Sequence, residues 1–471
     1  MNAKTLFFVS AIFFTTTATV PLFAQKKAQT QSELQNATAT ESSEQTEQEN
    51  PLSFAQKLQK KLEKGDINGA IELYDELPKN LNSNTDLKLL HASLLFSAQK
   101  YAQADSIVKE LVSNPKTRKD ALEIKAQIAM ASDNKEDLQN TLNQLLASDP
   151  YNPTANIILG NQQALRKKYK IAANYYKKAL TGDGENQEAL FGYGKMTYYL
   201  GELATSQAQF EKLLQIDSEN SSAYYYLGKL SAEDEKYLSA TKYIQKAIKI
   251  DPENYEYYID LGQYMRSQGK YKEAEDAWTK AIELNPDYFL PYAYRAGLLD
   301  EQNRLEEALK DYNSLLEKNP KYYFAFEEIG ILEFHTQNWE AARQAFTKAN
   351  SIKKNTAYQL MIIATYLKEK NTFKAKEFAA SCMKTMDRTS LEYQMVRLYH
   401  DQGPVNAENG IIKLLEKETD KTKKGKMTYY FGLYYELKGL QKVANEYYSK
   451  VTKMQNPMFF EYRLAEWGTY Q

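Results

Sequence analysis

From Pro51 onward the chain repeats itself at a short, constant interval. A unit that short cannot enclose a core of its own and has to share one with the units on either side. Stepping by 34 from Ala274 reaches Ala240, Ser206, Ala172, Leu138, Ala104 and Ala70 in one direction, and Ala308, Ala342, Lys376, Gly410 and Ala444 in the other. Twelve residues earlier in each unit stand Leu58, Ala92, Ala126, Gly160, Gly194, Gly228, Gly262, Ala296, Gly330, Ala364, Leu398 and Gly432. Ten of the twelve positions in each series are small, and both series read in strict register without an insertion.

Helix pairs explain the pattern. A small residue in a first helix that faces a small residue in a second lets the two backbones approach closely. Four residues after the second small position a large side chain recurs: Tyr74, Tyr176, Phe210, Ile244, Trp278, Tyr312, Phe346 and Tyr448. That spacing keeps it on the same helix face, where it can fill the gap to the next unit. Turn signals such as Lys64-Gly65-Asp66, Gln268-Gly269-Lys270 and Lys438-Gly439-Leu440 separate the two helices. Units close on Asp149-Pro150, Asp251-Pro252, Asn285-Pro286 and Asn319-Pro320, where proline is expected to stop one helix and start the next. With 12 prolines in 471 residues, little else interrupts helix.

On these residues the unit resembles the tetratricopeptide repeat, and its best copy, residues 255–288, carries Leu261-Gly262, Gly269, Ala274, Trp278, Ala281 and Pro286 at matching positions. Twelve units begin at Pro51, Thr85, Lys119, Pro153, Gln187, Ser221, Tyr255, Phe289, Tyr323, Ala357, Leu391 and Gly425. The resemblance implies an all-α, right-handed superhelical solenoid over residues 51–458, followed by a capping helix over 459–471. Departures concentrate in the tenth and eleventh units, where Lys376 breaks the small position and Gly403-Pro404 interrupts the pattern. Distortion, with a bend or a loosening, is expected there. The family's first-helix tryptophan is absent throughout; Phe54, Tyr224, Tyr258, Tyr292 and Phe326 replace it in five units.

Ahead of the repeats, residues 2–24 place Lys4 before an apolar stretch from Leu6 to Phe14, then Pro21 and a small-residue cleavage point after Ala24. That is the layout of a secretory signal peptide over residues 1–24, with an uncleaved anchor as the rival reading. Residues 25–50 hold no aromatic residue and one leucine, too little apolar surface to offset chain entropy, and are expected to be a disordered polar linker. The mature chain is expected to have no membrane span and to be exported, periplasmic or envelope-associated; the resemblance makes it bacterial.

Composition narrows the chemistry. Sixty Lys and Arg against 61 Asp and Glu give a net charge of −1, so no long-range attraction to nucleic acid or anionic lipid is built in. The single cysteine, Cys382, excludes an internal disulfide and is read as a packed thiol. His91, His335 and His400 fall in distant units, so no metal site or catalytic triad is expected. Phosphate-loop, zinc-protease and nucleophile-elbow motifs are all missing, and acidic pairs such as Glu306-Glu307 and Glu327-Glu328 read as solvated helix faces. Repeats consume the chain, so no enzyme, catalytic residue or cofactor is expected.

A helical solenoid offers a long face lined by its first helices. The resemblance assigns the residues of that groove to repeat positions two, five, nine and twelve. Here these include Phe191, Lys195 and Tyr198, then Tyr225 and Lys229, then Ile259, Gln263 and Arg266. Farther along come Phe324, Phe334, Tyr358, Tyr399 and Tyr429. Aromatic anchors beside cationic heads suit a segment of another protein, and several of the rings can equally pad the helix contacts. The Lys-Asn carboxylate clamp of chaperone adaptors is absent, since the relevant pairs are Ile157/Asn161, Phe191/Lys195, Tyr225/Lys229 and Ile259/Gln263. The expected function is therefore a scaffold for other envelope proteins. The alternative is a small-ligand or glycan-binding component paired with a transporter. Of the 37 tyrosines 34 lie from Tyr169 onward, which makes self-association through the carboxyl-terminal units a further expectation.

Overall fold

A repeat folds as two helices joined by a three-residue turn, as in Tyr255–Ser267 and Tyr271–Leu284. The computed structural model describes residues 51–77, 81–403 and 405–469; the expected export segment and linker, residues 1–50, lie outside them. Among the described residues there are 25 α-helices, one 3-10 helix and no strand, in agreement with the all-α helix-turn-helix solenoid expected from the period. The chain divides into two units, one ending at Ile250 and one beginning at Asp251.

Local chemistry sets the helix ends. The turn after each first helix is a left-handed cap, with positive φ at Gly65, Gln99, Asp133, Lys167, Gly201, Glu235, Gly269, Asn303 and Gln337, each one full repeat from the last. At Gly269 the following N–H, from Lys270, reaches back to the Met265 carbonyl at 2.9 Å, the bond that closes such a cap. First helices start on an asparagine whose side chain accepts a backbone N–H: Asn152, Asn186, Asn220 and Asn254. The Asp-Pro and Asn-Pro pairs therefore work differently from expectation. Asp149 ends its helix, Pro150 lies in the loop, and the next helix begins at Pro153 behind Asn152.

Packing refines the small-residue rule. The second-helix small position is buried as expected at Ala104, Ala172, Ser206, Ala240, Ala274, Ala308, Ala342 and Ala444. Its first-helix counterpart mostly makes room for the large residue sixteen positions later. A Cβ on Gly160 would fall 2.9 Å from the Tyr176 ring, one on Gly330 2.8 Å from Phe346, and one on Gly432 2.9 Å from Tyr448. Where the partner is aliphatic, alanine suffices, as in Ala92 with Val108 and Ala126 with Leu142, all buried. Gly228 keeps the simpler role: its nearest neighbour is the backbone oxygen of Ala240, 3.3 Å from a notional Cβ.

Register is not strict throughout. After Gln337 the left-handed residues that follow a first helix are Lys370, Gln402 and Gly439, so the interval runs 33, 32 and then 37. The slip begins in the loop between Ile352 and Thr356, and the first helix of the tenth repeat starts at Thr356 behind Asn355. Five residues past the left-handed turn therefore stands Ala375, which is buried, while Lys376 is exposed. Lys376 does not break the small position; a one-residue shift moves it off that face. Nine residues past the turn stands Ala379 and seven before it Ile363, both buried, so large and small have exchanged helices. Gly410 has nothing within 4 Å of a notional Cβ and is not a close-approach position. Lys376→Ala is expected to change stability by less than ~0.5 kcal/mol and Ala375→Val to cost about 1–2 kcal/mol by overpacking. Urea unfolding of the two variants checks the register, and equal costs would contradict it.

The distorted stretch does not loosen. The most extensive buried cluster among the described residues runs from Ile331 to Ala465 and takes in Leu360, Met395, Tyr430, Phe431 and Leu464. Within it the first helices of the tenth and twelfth repeats touch directly: the Tyr430 hydroxyl donates to the Ala357 carbonyl at 3.0 Å, and Lys368 pairs with Glu436.

Candidate partner-binding face

In the first unit the helices Gln187–Tyr199 and Ser221–Glu233 carry the same pattern one repeat apart. Phe191 and Lys195 are four apart on one, Tyr225 and Lys229 on the other, so each ammonium lies along its own ring. The Lys195 nitrogen sits 5.9 Å from the Phe191 centroid and the Lys229 nitrogen 5.3 Å from that of Tyr225, within cation–π range. Underneath, Phe210 and Tyr226 are buried and stacked at 5.0 Å. Phe191 meets both edge-on, at 6.0 and 5.7 Å. Tyr198 and Tyr225 lie edge-on to Tyr226, at 5.7 and 5.4 Å. Phe191, Tyr198 and Tyr225 are half-buried, each with part of its ring against Tyr226. Tyr198 donates to Glu233 at 2.7 Å.

Those five residues are brought together in the first unit. Gln263 and Arg266 belong to the second, where Gln263 is half-buried and Arg266 is ion-paired with Glu301. Ile259, Phe334, Tyr358, Tyr399 and Tyr429 are buried, contrary to their expected place on an open groove. Tyr399 donates to the Tyr430 carbonyl at 2.6 Å, Tyr429 stacks on Tyr448 at 5.5 Å, and Tyr358 bonds to Glu327. Phe324 remains exposed, stacked on Tyr323 at 4.1 Å.

Polar groups at the same repeat positions were not assigned to the face from the sequence, where aromatics and cations were followed. In the first unit Asn161 donates to Glu188 at 3.0 Å and accepts from Tyr176, and burial pushes the Glu188 carboxyl up. In the second, Asp300 and Glu327 occupy positions twelve and five of their repeats, and neither is a solvated surface group: Asp300 is buried under Arg463. The position rule found these residues; their residue type alone hid them.

Cys382 is buried on its helix, and burial pushes its thiol up. Among the described residues no group of three His, Cys, Asp or Glu could hold a metal ion, and no helix is long and apolar enough to cross a membrane.

Comparison with known proteins gives two family-model matches, both described as tetratricopeptide repeat, over residues 255–288 and 295–353. The first has the bounds of the best copy read from the spacing. Among solved structures, MamA is 26% identical over 34% of this chain and 95% of its own, with a TM-score of 0.32. YrrB, described as a TPR protein with an unusual peptide-binding site, is 25% identical over 39% of this chain and 94% of its own, with a TM-score of 0.34. A tetratricopeptide repeat protein from Parabacteroides merdae is 19% identical over 54% and 97%, with a TM-score of 0.39. No curated protein matches the chain.

Proposed function

This chain is a tetratricopeptide-repeat protein, and on that premise we propose that it is a non-enzymatic scaffold of the bacterial cell envelope that binds segments of other proteins on its first-helix face. A scaffold role in protein interaction is what the repeats themselves support. The envelope setting rests on the export layout of residues 2–24. One observation carries the choice of face: the ring-plus-lysine pair that recurs as Phe191/Lys195 and Tyr225/Lys229 over the Phe210/Tyr226 stack. Half-buried rings are already ordered by the core beneath them, so a partner that covers their outer edges gains apolar contact at little entropic cost. The two ammonium groups favour an acidic or polar segment and fix its direction. Gln263 and Arg266 hold the equivalent repeat positions within the second unit, where Arg266 is ion-paired with Glu301.

Crosslinking in the envelope followed by mass spectrometry identifies the partner, and titration of the purified partner then tests the face. Phe191→Ala with Tyr225→Ala is expected to weaken binding about 10–100-fold. Lys195→Glu with Lys229→Glu, which leaves the stack intact, is expected to weaken it and to reduce its salt dependence. An unchanged affinity in both double variants would sink the assignment. So would a stability loss in the aromatic double variant that accounts for all of its lost binding.

A further inference from the structure

The last helix, Phe460–Thr469, is where the expectation of a simple cap gives way. A cap would cover the twelfth repeat, and this helix does pack on its two helices, Lys421–Leu437 and Gln441–Thr452. It also packs on Tyr323–His335 of the ninth repeat and reaches the eighth. Three of its side chains, spaced i, i+3 and i+7, make those contacts. Phe460 lies 6.0 Å from the Phe346 ring and 6.2 Å from Tyr358. Arg463 forks onto Asp300, with one bond of 2.6 Å, across 163 residues of sequence. Trp467 stacks on His335 at 3.9 Å, with the Arg463 guanidinium 4.2 Å over its ring. That spacing is one stripe of an α-helix.

Its receptor is made of first-helix positions. Asp300 is position twelve of the eighth repeat, Glu327 position five of the ninth, and Tyr358 position two of the tenth as counted from the sequence. The first two are places where the resemblance puts a partner, and the slip before Thr356 sets Tyr358 one place past its own. The second unit thus holds a segment of its own chain on its first-helix face. The receptor is also acidic: Asp300 and Glu328 lie near the Arg463 guanidinium with Glu327 beside Glu328, and burial together with the two neighbouring carboxylates pushes Glu328 up to about 7. Such a face selects a cationic helix, and a bidentate arginine on a buried carboxylate gives it a fixed register.

We propose that the first-helix face of repeats eight to ten is a helix-binding site held in cis by residues 460–469, and that it accepts a partner helix presenting an aromatic residue, an arginine and a tryptophan at i, i+3 and i+7. The site rests on the first-helix reading of the proposed function and adds to it a ligand pattern and a gate. Tethering gives the cis helix an effective concentration on the order of millimolar. Weak ligands are excluded while it is seated, and a partner competes by matching its three anchors or by acting on a chain whose own helix is loosened.

The test uses the full chain and a fluorescein-labelled peptide of residues 457–471 as probe. Binding to the unaltered chain is expected to be weak. Arg463→Ala in the chain weakens the cis helix and leaves the peptide's arginine intact, so affinity is expected to rise about 10–100-fold. Trp467→Ala is expected to act in the same direction. Adding Asp300→Ala to either variant removes the receptor carboxylate and is expected to abolish the gain. The proposal is overturned if both loosened chains fold and bind the peptide no better than the unaltered one. It is equally overturned if both lose cooperative unfolding of the second unit, because the helix is then an inseparable part of the core. Phe191→Ala with Tyr225→Ala should leave peptide binding unchanged, which separates failure here from failure of the first-unit face.

Discussion

Trp278→Ala is expected to destabilise the protein by about 3–5 kcal/mol, and Gly262→Ala, a single added methyl, by about 1–3 kcal/mol. The indole is fully buried, and its Nε1–H donates to the Ile259 carbonyl at 3.1 Å. Truncation leaves a cavity and removes the indole's hydrogen bond at once. A Cβ on Gly262 would lie 2.2 Å from that same nitrogen, so the ring has to move and break its hydrogen bond. The two costs share one space. With the indole gone, the methyl at 262 finds room, and the double variant is expected to cost less than the sum by about 1–2 kcal/mol. Gly269→Ala is the control: nothing lies within 4 Å of its notional Cβ, but its φ is +73°. Its cost of about 1–2 kcal/mol is backbone strain alone and should add to that of Trp278→Ala without coupling. Urea unfolding of the three single and two double variants reads all of this, and strict additivity of Gly262→Ala with Trp278→Ala would refute the interlock.

The second unit is expected to become more stable as pH falls from 8 to 6. Glu328 and Glu461 are both pushed up to about 7 from an ordinary 4.5, chiefly by burial. Around Glu328, Asp300 and Glu327 add to the rise and Arg463 opposes it. Around Glu461, Glu327 adds to it and Lys426 and Tyr430 oppose it. Geometry agrees at Glu461. The Tyr430 hydroxyl has one hydrogen and two acceptors, Ala357 O at 3.0 Å and Glu461 Oε1 at 2.9 Å. A protonated Glu461 donates to the tyrosine oxygen and frees that hydrogen for Ala357. Folded carboxyls with raised values bind more protons than unfolded ones between about 4.5 and 7, so their destabilising effect is full above 7 and disappears on acidification. Each contributes on the order of 1–2 kcal/mol between pH 8 and 6, enough together to raise Tm by ~5 °C or more. Burial and Arg463 hold His335 below its ordinary value, which limits the opposing charge. Glu328→Gln and Glu461→Gln are each expected to flatten the profile and to exceed the unaltered chain in Tm at pH 8. A flat profile in the unaltered chain, or variants that follow it in parallel, would refute this.

How far the sequence could be read follows from the range of each interaction. Helix pairs, turns and the large second-helix residues obey contacts within one repeat, and Trp278 over Gly262 needs no information from outside its own unit. The one-residue slip before Thr356 was also local, yet Ala364 and Lys376 hid it. Ala364 kept the first-helix series intact at the wrong residue, and Ala375 stood next to the apparent break. In the site, Phe191, Lys195, Tyr225 and Lys229 were legible because equal repeat positions recur on equal faces. The burial of Tyr358, Tyr399 and Tyr429 was not legible, because position numbers state which face a residue occupies and not what covers it.

The sequence by itself determined the repeat, the helix pairing, the small-large interlock and the face on which each side chain lies, since periodicity and nearest-neighbour packing act within a unit and its neighbours. Only the tertiary structure decided that the second unit covers part of that face with residues 460–469. The contact responsible, Arg463 on Asp300, joins positions 163 residues apart. It forms because repeats ten and twelve close on each other, as Tyr430 does on Ala357. That closure accumulates from the packing of every intervening repeat, and no window the length of one repeat contains it.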